Sequence, residues 1–205
     1  MISVIVITHP GYEQFLPKTL ESIRKQGVEH EIIIEDNTRY TLAKACNNAI
    51  SRSRGEYIIR VDSDDWIANS LLKAESEYLE LHPELDCVWC DYWKSFDDHS
   101  EYYANPVLEH ACGAMFRKST WEKLGGYDES LHYQEAFEFW LNFQSMGLSA
   151  HRIEKPLYYY RQHNVSMSRN INEKLATRKR ILEKYALDQR NPRGTEKTRL
   201  RTAIE

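Results

Sequence analysis

Three short runs of β-branched and apolar residues, each followed by a polar cluster, constrain the fold of this chain most strongly. The runs are Ile2 to Ile7, Glu31 to Ile34 and Tyr57 to Val61. They show little polar–apolar alternation, which is typical of strands covered on both faces. The segments between them carry apolar residues at helical spacing. The chain therefore begins with a predicted β-α-β-α-β unit, whose short connections imply a parallel sheet with right-handed crossovers.

The remaining sequence predicts more helices and strands. Predicted helices cover about Asn69 to Pro83, Glu135 to Met146 and Ile171 to Tyr185, and predicted strands cover Asp86 to Tyr92, Ala111 to Arg117 and Ser149 to Tyr160. The polar and aromatic segment from Lys94 to Pro106 predicts a hairpin or a mobile loop. Cys87 and Cys90 have CxxC spacing, but residues three apart on a strand face opposite sides, which disfavours a shared metal.

Length and composition indicate an ordinary globular protein. The 205 residues, of which 41% are hydrophobic and 28% charged, are enough for one domain with a substantial core. The net charge of −4 argues against bulk binding of nucleic acid. No signal peptide is recognised, and no apolar run approaches the ~20 residues of a membrane span. We therefore expect a cytoplasmic protein without a transmembrane segment.

An acidic cluster follows the third predicted strand. Asp62, Asp64 and Asp65 stand within four residues, with the small Ser63 between the first two. Residues two apart in an extended segment point the same way, so Asp62 and Asp64 can face one ligand. A divalent cation such as Mg²⁺ or Mn²⁺ would relieve the repulsion between them. A cap for the following helix is the structural alternative.

The positions of the polar clusters favour a site over a cap. Thr8, Asp36 and the acidic cluster each follow one of the three predicted parallel strands. Ligands of such sheets bind beyond the carboxyl ends of the strands, where these clusters meet. The predicted late helix adds Glu135 and Glu138, which lie one turn apart on one face of an otherwise aromatic helix.

With these residues in place, the chain resembles the family 2 glycosyltransferases of the GT-A fold, up to about Tyr185. The matching segments, in order, are Val4 to Thr8, Gly55 to Ile58, Asp62 to Asp65, Gly125 to Glu129, Phe137 to Leu141 and Tyr160 to His163. The resemblance implies an α/β fold with a central, mostly parallel sheet flanked by helices. It implies one domain over residues 1–185, with nucleotide-sugar binding in 1–92 and acceptor binding and catalysis in 93–185, followed by a basic polar tail over 186–205.

The resemblance also implies an activity. Members of the family transfer a sugar from a nucleotide sugar, here expected to be a UDP sugar, to an acceptor hydroxyl with inversion at the anomeric carbon. The expected cofactor is Mn²⁺ or Mg²⁺, and the expected role is the synthesis of a polysaccharide or another glycan. The implied nucleotide-sugar-binding residues are Thr8, Pro10, Asp36, Asp62, Ser63 and Arg161. Asp64 and His163 are the implied metal ligands.

Alternatives stay open for two of these residues. For His163, the alternative to metal ligation is a structural role, although the sequence predicts no packing role in the core for this residue. Arg161 has a surface ion pair as its alternative to neutralising a phosphate. The basic stretch Arg178 to Arg180 is interpreted as a solvated helix face rather than a contact with a membrane or an anionic acceptor.

The catalytic base departs from the pattern of the family. Its members commonly carry Glu-Asp at the start of the late helix, with the Asp as base, whereas this chain carries Glu135 and Ala136. We expect Glu135 to act as the base and Glu138 to hold the acceptor or the helix. A catalytically inactive binding module is the alternative that Ala136 raises. A nucleotidyltransferase is a weaker alternative, because its Gly-rich phosphate loop is missing after the first strand.

Overall fold

The computed structural model describes residues 1–96, 98–105, 113–163 and 171–188. Within these residues the chain forms one sheet of eight strands and six helices. The strands are β1 (Ile2–Thr8), β2 (His30–Asp36), β3 (Tyr57–Asp62), β4 (Trp66–Ile67), β5 (Cys87–Ser95), β6 (Ser100–Tyr103), β7 (Ala114–Arg117) and β8 (Ala150–Arg161). The helices are α1 (Leu16–Arg24), α2 (Leu42–Ser51), α3 (Leu71–Leu81), α4 (Lys118–Leu124), α5 (Glu135–Ser145) and α6 (Ile171–Asp188).

The sheet has the order β2-β1-β3-β7-β5-β8-β4, with β6 paired to β5. Its longest ladders are parallel: β1 pairs with β2 and β3, and β5 pairs with β8. The short strand β7 runs antiparallel to both β3 and β5, so these two strands are parallel to each other. The carboxyl ends of β1, β2, β3, β5 and β8 therefore lie at one edge of the sheet. The predicted α/β class and the flanking helices are confirmed, although the sheet is mixed.

The predicted β-α-β-α-β unit is confirmed as β1 to β3, and several boundaries differ further along the chain. The two-residue strand β4, which pairs with β8, was not predicted because a segment so short has no periodicity. Strand β5 runs to Ser95 and forms a hairpin with β6. Helix α3 follows Ser70 rather than the predicted cap Asn69. Helix α6 extends into the predicted tail as far as Asp188, and residues 189–205 lie outside the described part.

Apolar residues pack on both faces of the sheet. One core lies between the sheet and helices α2, α4 and α5, and the other lies between the sheet and helices α1 and α3. Cys87 belongs to the first core and Cys90 to the second, which confirms that this pair faces opposite sides. Helix α6 packs on α5 through Phe137, Leu141, Ile181 and Tyr185. This packing fixes the first turn of α5 beside the carboxyl edge of the sheet.

Candidate active site

A cavity of about 170 Å³ opens where the ends of β1 and β3 meet the first turn of α5. Its walls include His9, Arg60, Asp62, Asp64, Glu135 and Tyr160. Polar residues that follow β1, β2 and β3 thus meet the start of α5 at one cavity, although Thr8 and Asp36 are not among the residues that line it.

Asp64 lines this cavity and forms a buried pair with His163, which is not among the lining residues. Nε2 of His163 lies 2.8 Å from Oδ2 of Asp64, and the side chains are only 10% and 12% exposed. Burial and the neighbouring Asp62 raise the pKa of the Asp64 carboxyl, while the contact with His163 opposes that shift. The imidazole also packs against Tyr12 and Phe15 at ring-centroid distances of 5.2 and 4.7 Å. The expectation that His163 has no packing role is therefore wrong.

Asp62 is held by an arginine that the sequence did not single out. Nε and Nη2 of Arg60 donate to Oδ1 and Oδ2 of Asp62 at 2.6 and 3.1 Å. Nη1 of the same guanidinium donates to Oε1 of Glu135 at 3.0 Å. One cation thus links the acidic turn to the first turn of α5. Its signal in the sequence was a charged residue inside an otherwise apolar strand.

Asp65 anchors the acidic turn instead of facing the cavity. Its carboxylate is fully buried and accepts hydrogen bonds from the Tyr158 hydroxyl and the Arg161 backbone N–H, both at 2.8 Å. Burial, with the charges of Asp64 and Asp62, raises the pKa of Asp65 well above its usual range. These contacts tie the end of β3 to the end of β8. They give the third carboxylate of the cluster a structural role.

Arg161 and Ser63 both lie at the acidic turn. Nε of Arg161 donates to the backbone carbonyl of Asp64 at 2.6 Å, and its guanidinium lies 4.9 and 4.8 Å from the ring centroids of Phe15 and Trp66. The guanidinium therefore supports the backbone that carries Asp64. Ser63 is buried at the cavity wall.

Thr8, Pro10 and Asp36 lie at the β1–β2 end of the same edge. Thr8 is directly opposite Asp36 in the parallel register, and Pro10 is exposed. The exposed Asp36 accepts hydrogen bonds from the hydroxyl and the backbone N–H of Thr38, which lower its pKa.

Two neighbours that the sequence analysis did not select reach further into the cavity. His9 and Asn37 line its wall, with Nδ1 of His9 lying 2.9 Å from Oδ1 of Asn37. Both side chains follow a strand end directly, which was the signal available in the sequence.

The two glutamates of α5 have different surroundings. Glu135 begins the helix after Gln134, whose positive φ of 66° turns the chain into the site, and it lines the cavity. Glu138 is buried one turn further on and accepts hydrogen bonds from Nζ of Lys184 at 2.9 Å and the Tyr185 hydroxyl at 2.7 Å. Of the two expectations for Glu138, these contacts match holding the helix, because they join α5 to α6.

The donor chemistry of the Asp64–His163 pair fits a divalent cation. Among the described residues, no group of three or more His, Cys, Asp and Glu side chains surrounds a possible metal position. Two protein donors are nonetheless sufficient for a cation that shares its coordination with phosphate oxygens and water. Within the described part of the chain, the buried Nδ1 of His163 has no hydrogen-bond partner, so the ring is anchored by packing and by Asp64 alone.

The family is established by direct comparison. Residues 32–175 match the family model described as glycosyl transferase family 2. Because the match covers well over half of the chain, this protein belongs to glycosyl transferase family 2.

Curated relatives agree with this membership. EpsH of Bacillus subtilis, whose name describes a glycosyltransferase, is 27% identical over an alignment of 203 residues, and the match covers 83% of this chain and 56% of EpsH. WfaP of Escherichia coli is named a UDP-Glc:alpha-D-GlcNAc-diphosphoundecaprenol beta-1,3-glucosyltransferase. It is 24% identical over an alignment of 178 residues, and the match covers 82% of this chain and 70% of WfaP. The chain thus spans little more than half the length of EpsH.

Solved structures show the fold. The structure of S. aureus TarS 1-349 with UDP-GlcNAc superposes with a TM-score of 0.74 at 16% identity, over 95% of this chain and 68% of TarS 1-349. The mannosyltransferase PcManGT of Pyrobaculum calidifontis, solved with GDP-Man and Mn²⁺, gives 0.69 at 17% identity, over 95% of this chain and 65% of that protein. The protein therefore has the GT-A fold. None of the helices within the described residues is long and apolar enough to span a bilayer.

Proposed function

We propose that this protein transfers a sugar from a nucleotide sugar to an acceptor hydroxyl, with inversion at the anomeric carbon and with help from a divalent cation. The observation that carries the proposal is that Asp64, which is paired with His163, and Glu135 line one cavity. Asp64 and His163 can bind a cation that stabilises the leaving group, and Glu135 can accept the proton of the attacking hydroxyl. The two functions belong on opposite sides of the reacting carbon.

On the donor side, Asp64 and His163 would hold Mn²⁺ or Mg²⁺. The bound cation supplies stabilisation of the negative charge that grows on the leaving nucleoside diphosphate. Asp64 is suited to this role because its buried carboxylate is repelled by Asp62, so a nearby positive charge favours its ionised form. The Arg161 guanidinium braces the backbone carbonyl of Asp64 and so keeps the ligand in place.

On the acceptor side, Glu135 would take the proton of the attacking hydroxyl. It lines the cavity from the first turn of α5. Ala136 carries no ionisable group, and Glu138 is engaged with Lys184 and Tyr185. Glu135 is thus the carboxylate of α5 placed to act as a general base.

A uridine nucleotide is the donor that we propose to test first. TarS was solved with UDP-GlcNAc and WfaP is named for UDP-Glc, whereas PcManGT was solved with GDP-Man. Asp36, at the end of β2, is the residue proposed to accept a hydrogen bond from the base. We extend the proposal to assembly of a polysaccharide or another glycan on a hydroxyl-bearing acceptor.

One observation favours a second candidate, a nucleotide-sugar-binding module without turnover. Oε1 of Glu135 already accepts a hydrogen bond from Arg60, and the next residue is Ala136. In that case the donor would bind and no acceptor would be glycosylated.

A nucleotide-sugar screen tests the proposal and separates the two candidates. Thermal unfolding is followed with UDP sugars and GDP sugars, with Mn²⁺ and with a chelator. A donor at a hundred times its Kd adds roughly 2.7 kcal/mol of stability. We expect stabilisation that the chelator abolishes, followed by release of nucleoside diphosphate when acceptors are added. Stabilisation without release with any acceptor supports the binding module, and no stabilisation by any nucleotide sugar rejects both candidates.

A further inference from the structure

The guanidinium of Arg60 lies between the two halves of the candidate site. Arg60 is on β3, two residues before Asp62, and its side chain is 8% exposed. It is bidentate to Asp62 and donates a third hydrogen bond to Glu135, which is 75 residues away in the sequence. A buried cation thus binds one carboxylate from the donor side and one from the acceptor side.

The planar shape of the guanidinium decides what this contact can do. Nε and Nη2 form the fork that engages both oxygens of Asp62, which leaves Nη1 pointing to a different partner. That partner is Oε1 of Glu135, so the direction of Nη1 sets where the Glu135 carboxylate lies. A lysine ammonium is a point charge without this fork and cannot fix two carboxylates at a defined angle.

Glu135 and Asp62 use different numbers of carboxylate oxygens in their contacts with Arg60. Within the described part of the chain, the hydrogen bond accepted by Glu135 is made through Oε1, and the residue also lines the cavity. Both oxygens of Asp62 are engaged by Arg60, whereas Oδ2 of Asp64 contacts His163. The two carboxylates on either side of Ser63 are therefore directed to different partners.

We propose that Arg60 is a positioning residue that joins the acidic turn to the first turn of α5. It aims Glu135 at the acceptor and holds Asp62 away from the cation, which is left to Asp64 and His163. The catalytic part of this inference rests on the proposed function, because it assigns Glu135 as the base. The physical tie between Arg60 and Glu135 is testable without any activity.

The activity test uses Arg60→Met and Arg60→Lys in the full chain. A misplaced base costs turnover rather than donor affinity, so we expect Arg60→Met to lower kcat by about 10²-fold. The donor KM should also rise, because the released Asp62 carboxylate then repels the donor diphosphate, whereas the loss in kcat reports the misplaced base. Arg60→Lys should be nearly as impaired, because it restores the charge without the fork. In a Glu135→Gln background, Arg60→Met should add little further loss, since the two residues act as one unit.

A matched control separates positioning from a general loss of packing. Arg152 makes a comparable bidentate contact with the buried Asp91, at 2.7 and 2.9 Å, outside the cavity wall. Arg152→Met should lower stability and leave kcat nearly unchanged. An Arg60→Met enzyme with the parent kcat, or one whose loss in kcat is matched by Arg152→Met, overturns the inference.

Urea unfolding tests the tie independently of turnover. A double-mutant cycle between Arg60→Met and Glu135→Gln should show coupling, and a cycle with Glu138→Gln, one turn along the same helix, should show none. If Arg60→Met does not fold, Arg60→Gln replaces it in both cycles. If the parent protein transfers sugar to no acceptor, the proposed function is rejected. The coupling energy from the double-mutant cycle still tests the contact between Arg60 and Glu135. Absence of coupling with Glu135 overturns the inference even in an active enzyme.

Discussion

Nε2 of His163 lies 2.8 Å from Oδ2 of Asp64, although 99 residues separate them in the sequence. The contact forms because the acidic turn after β3 and the exit of β8 are joined through Asp65, which accepts hydrogen bonds from both Tyr158 and Arg161 of β8. The two candidate cation ligands are thus brought together by a third carboxylate that faces away from the cavity. The first two predictions test this arrangement.

Asp64→Asn should remove the dependence of nucleotide binding on a divalent cation. The amide keeps the size of the side chain but is a poor ligand for Mn²⁺ or Mg²⁺. Without a cation, the parent should bind a UDP sugar weakly, because the Asp64 carboxylate repels the diphosphate. Calorimetry with Mn²⁺ and with chelator measures both affinities. Equal affinities of the parent under the two conditions would sink the prediction.

His163→Ala should weaken cation-dependent nucleotide binding by about tenfold or more and also cost stability. The ring is buried against Phe15 and contacts Asp64, so we expect a loss of about 1–3 kcal/mol in the free energy of unfolding. Phe15→Ala is the matched control, because it removes the same ring contact without removing a donor. The control should lose stability while its metal dependence persists. Equal losses of affinity in both variants would indicate a purely structural histidine.

Glu135→Gln should reduce transfer by about 10²-fold or more, the usual scale for loss of a general base. Donor and cation binding should be unchanged, because Glu135 lies on the acceptor side of the cavity. Glu138→Gln should instead lower stability by about 1 kcal/mol or less, since its Lys184 partner is half exposed. Initial rates and urea unfolding of the two variants separate these roles. A Glu135→Gln enzyme that works at the parent rate, with Glu138→Gln inactive, would reverse them.

The free energy of unfolding should fall as the pH rises, because of the buried carboxyl of Glu75 on α3. This carboxyl is fully buried, and burial raises its pKa well above the usual range, while the neighbouring Cys90 thiol opposes that shift. Above the unfolded-state pKa of about 4.3, the folded protein therefore holds a proton that the unfolded chain has released, and stability falls with increasing pH.

Glu75→Gln removes this titration, so the variant should gain stability relative to the parent between about pH 5 and pH 8. Thermal unfolding of both proteins in matched buffers measures the difference, in which the other titrating groups cancel. A difference that is constant over this range would show that the Glu75 carboxyl does not titrate as proposed.

Local patterns in the sequence determined the helices and strands of the first third of the chain and the edge of the sheet at which the candidate site lies. The uninterrupted apolar runs of β1 to β3 and the helical spacing between them depend only on near neighbours, so the β-α-β-α-β unit and the polar residues at its strand ends were predicted correctly. The CxxC pair was also placed correctly, because the alternation of side chains along a strand is a local rule. By contrast, β4 was missed because two residues carry no period.

Tertiary structure alone decided which partner each carboxylate has. The sequence placed Asp62, Asp64 and Asp65 together, but the folded chain directs them to Arg60, His163 and the β8 strand respectively. It likewise separates Glu135, which faces the cavity, from Glu138, which binds α6. These partners come from elements that are brought together by the strand order β2-β1-β3-β7-β5-β8-β4 and by the packing of α5 and α6. Because that arrangement depends on the packing of the whole core, no local pattern specifies which distant side chain lies opposite a given strand end.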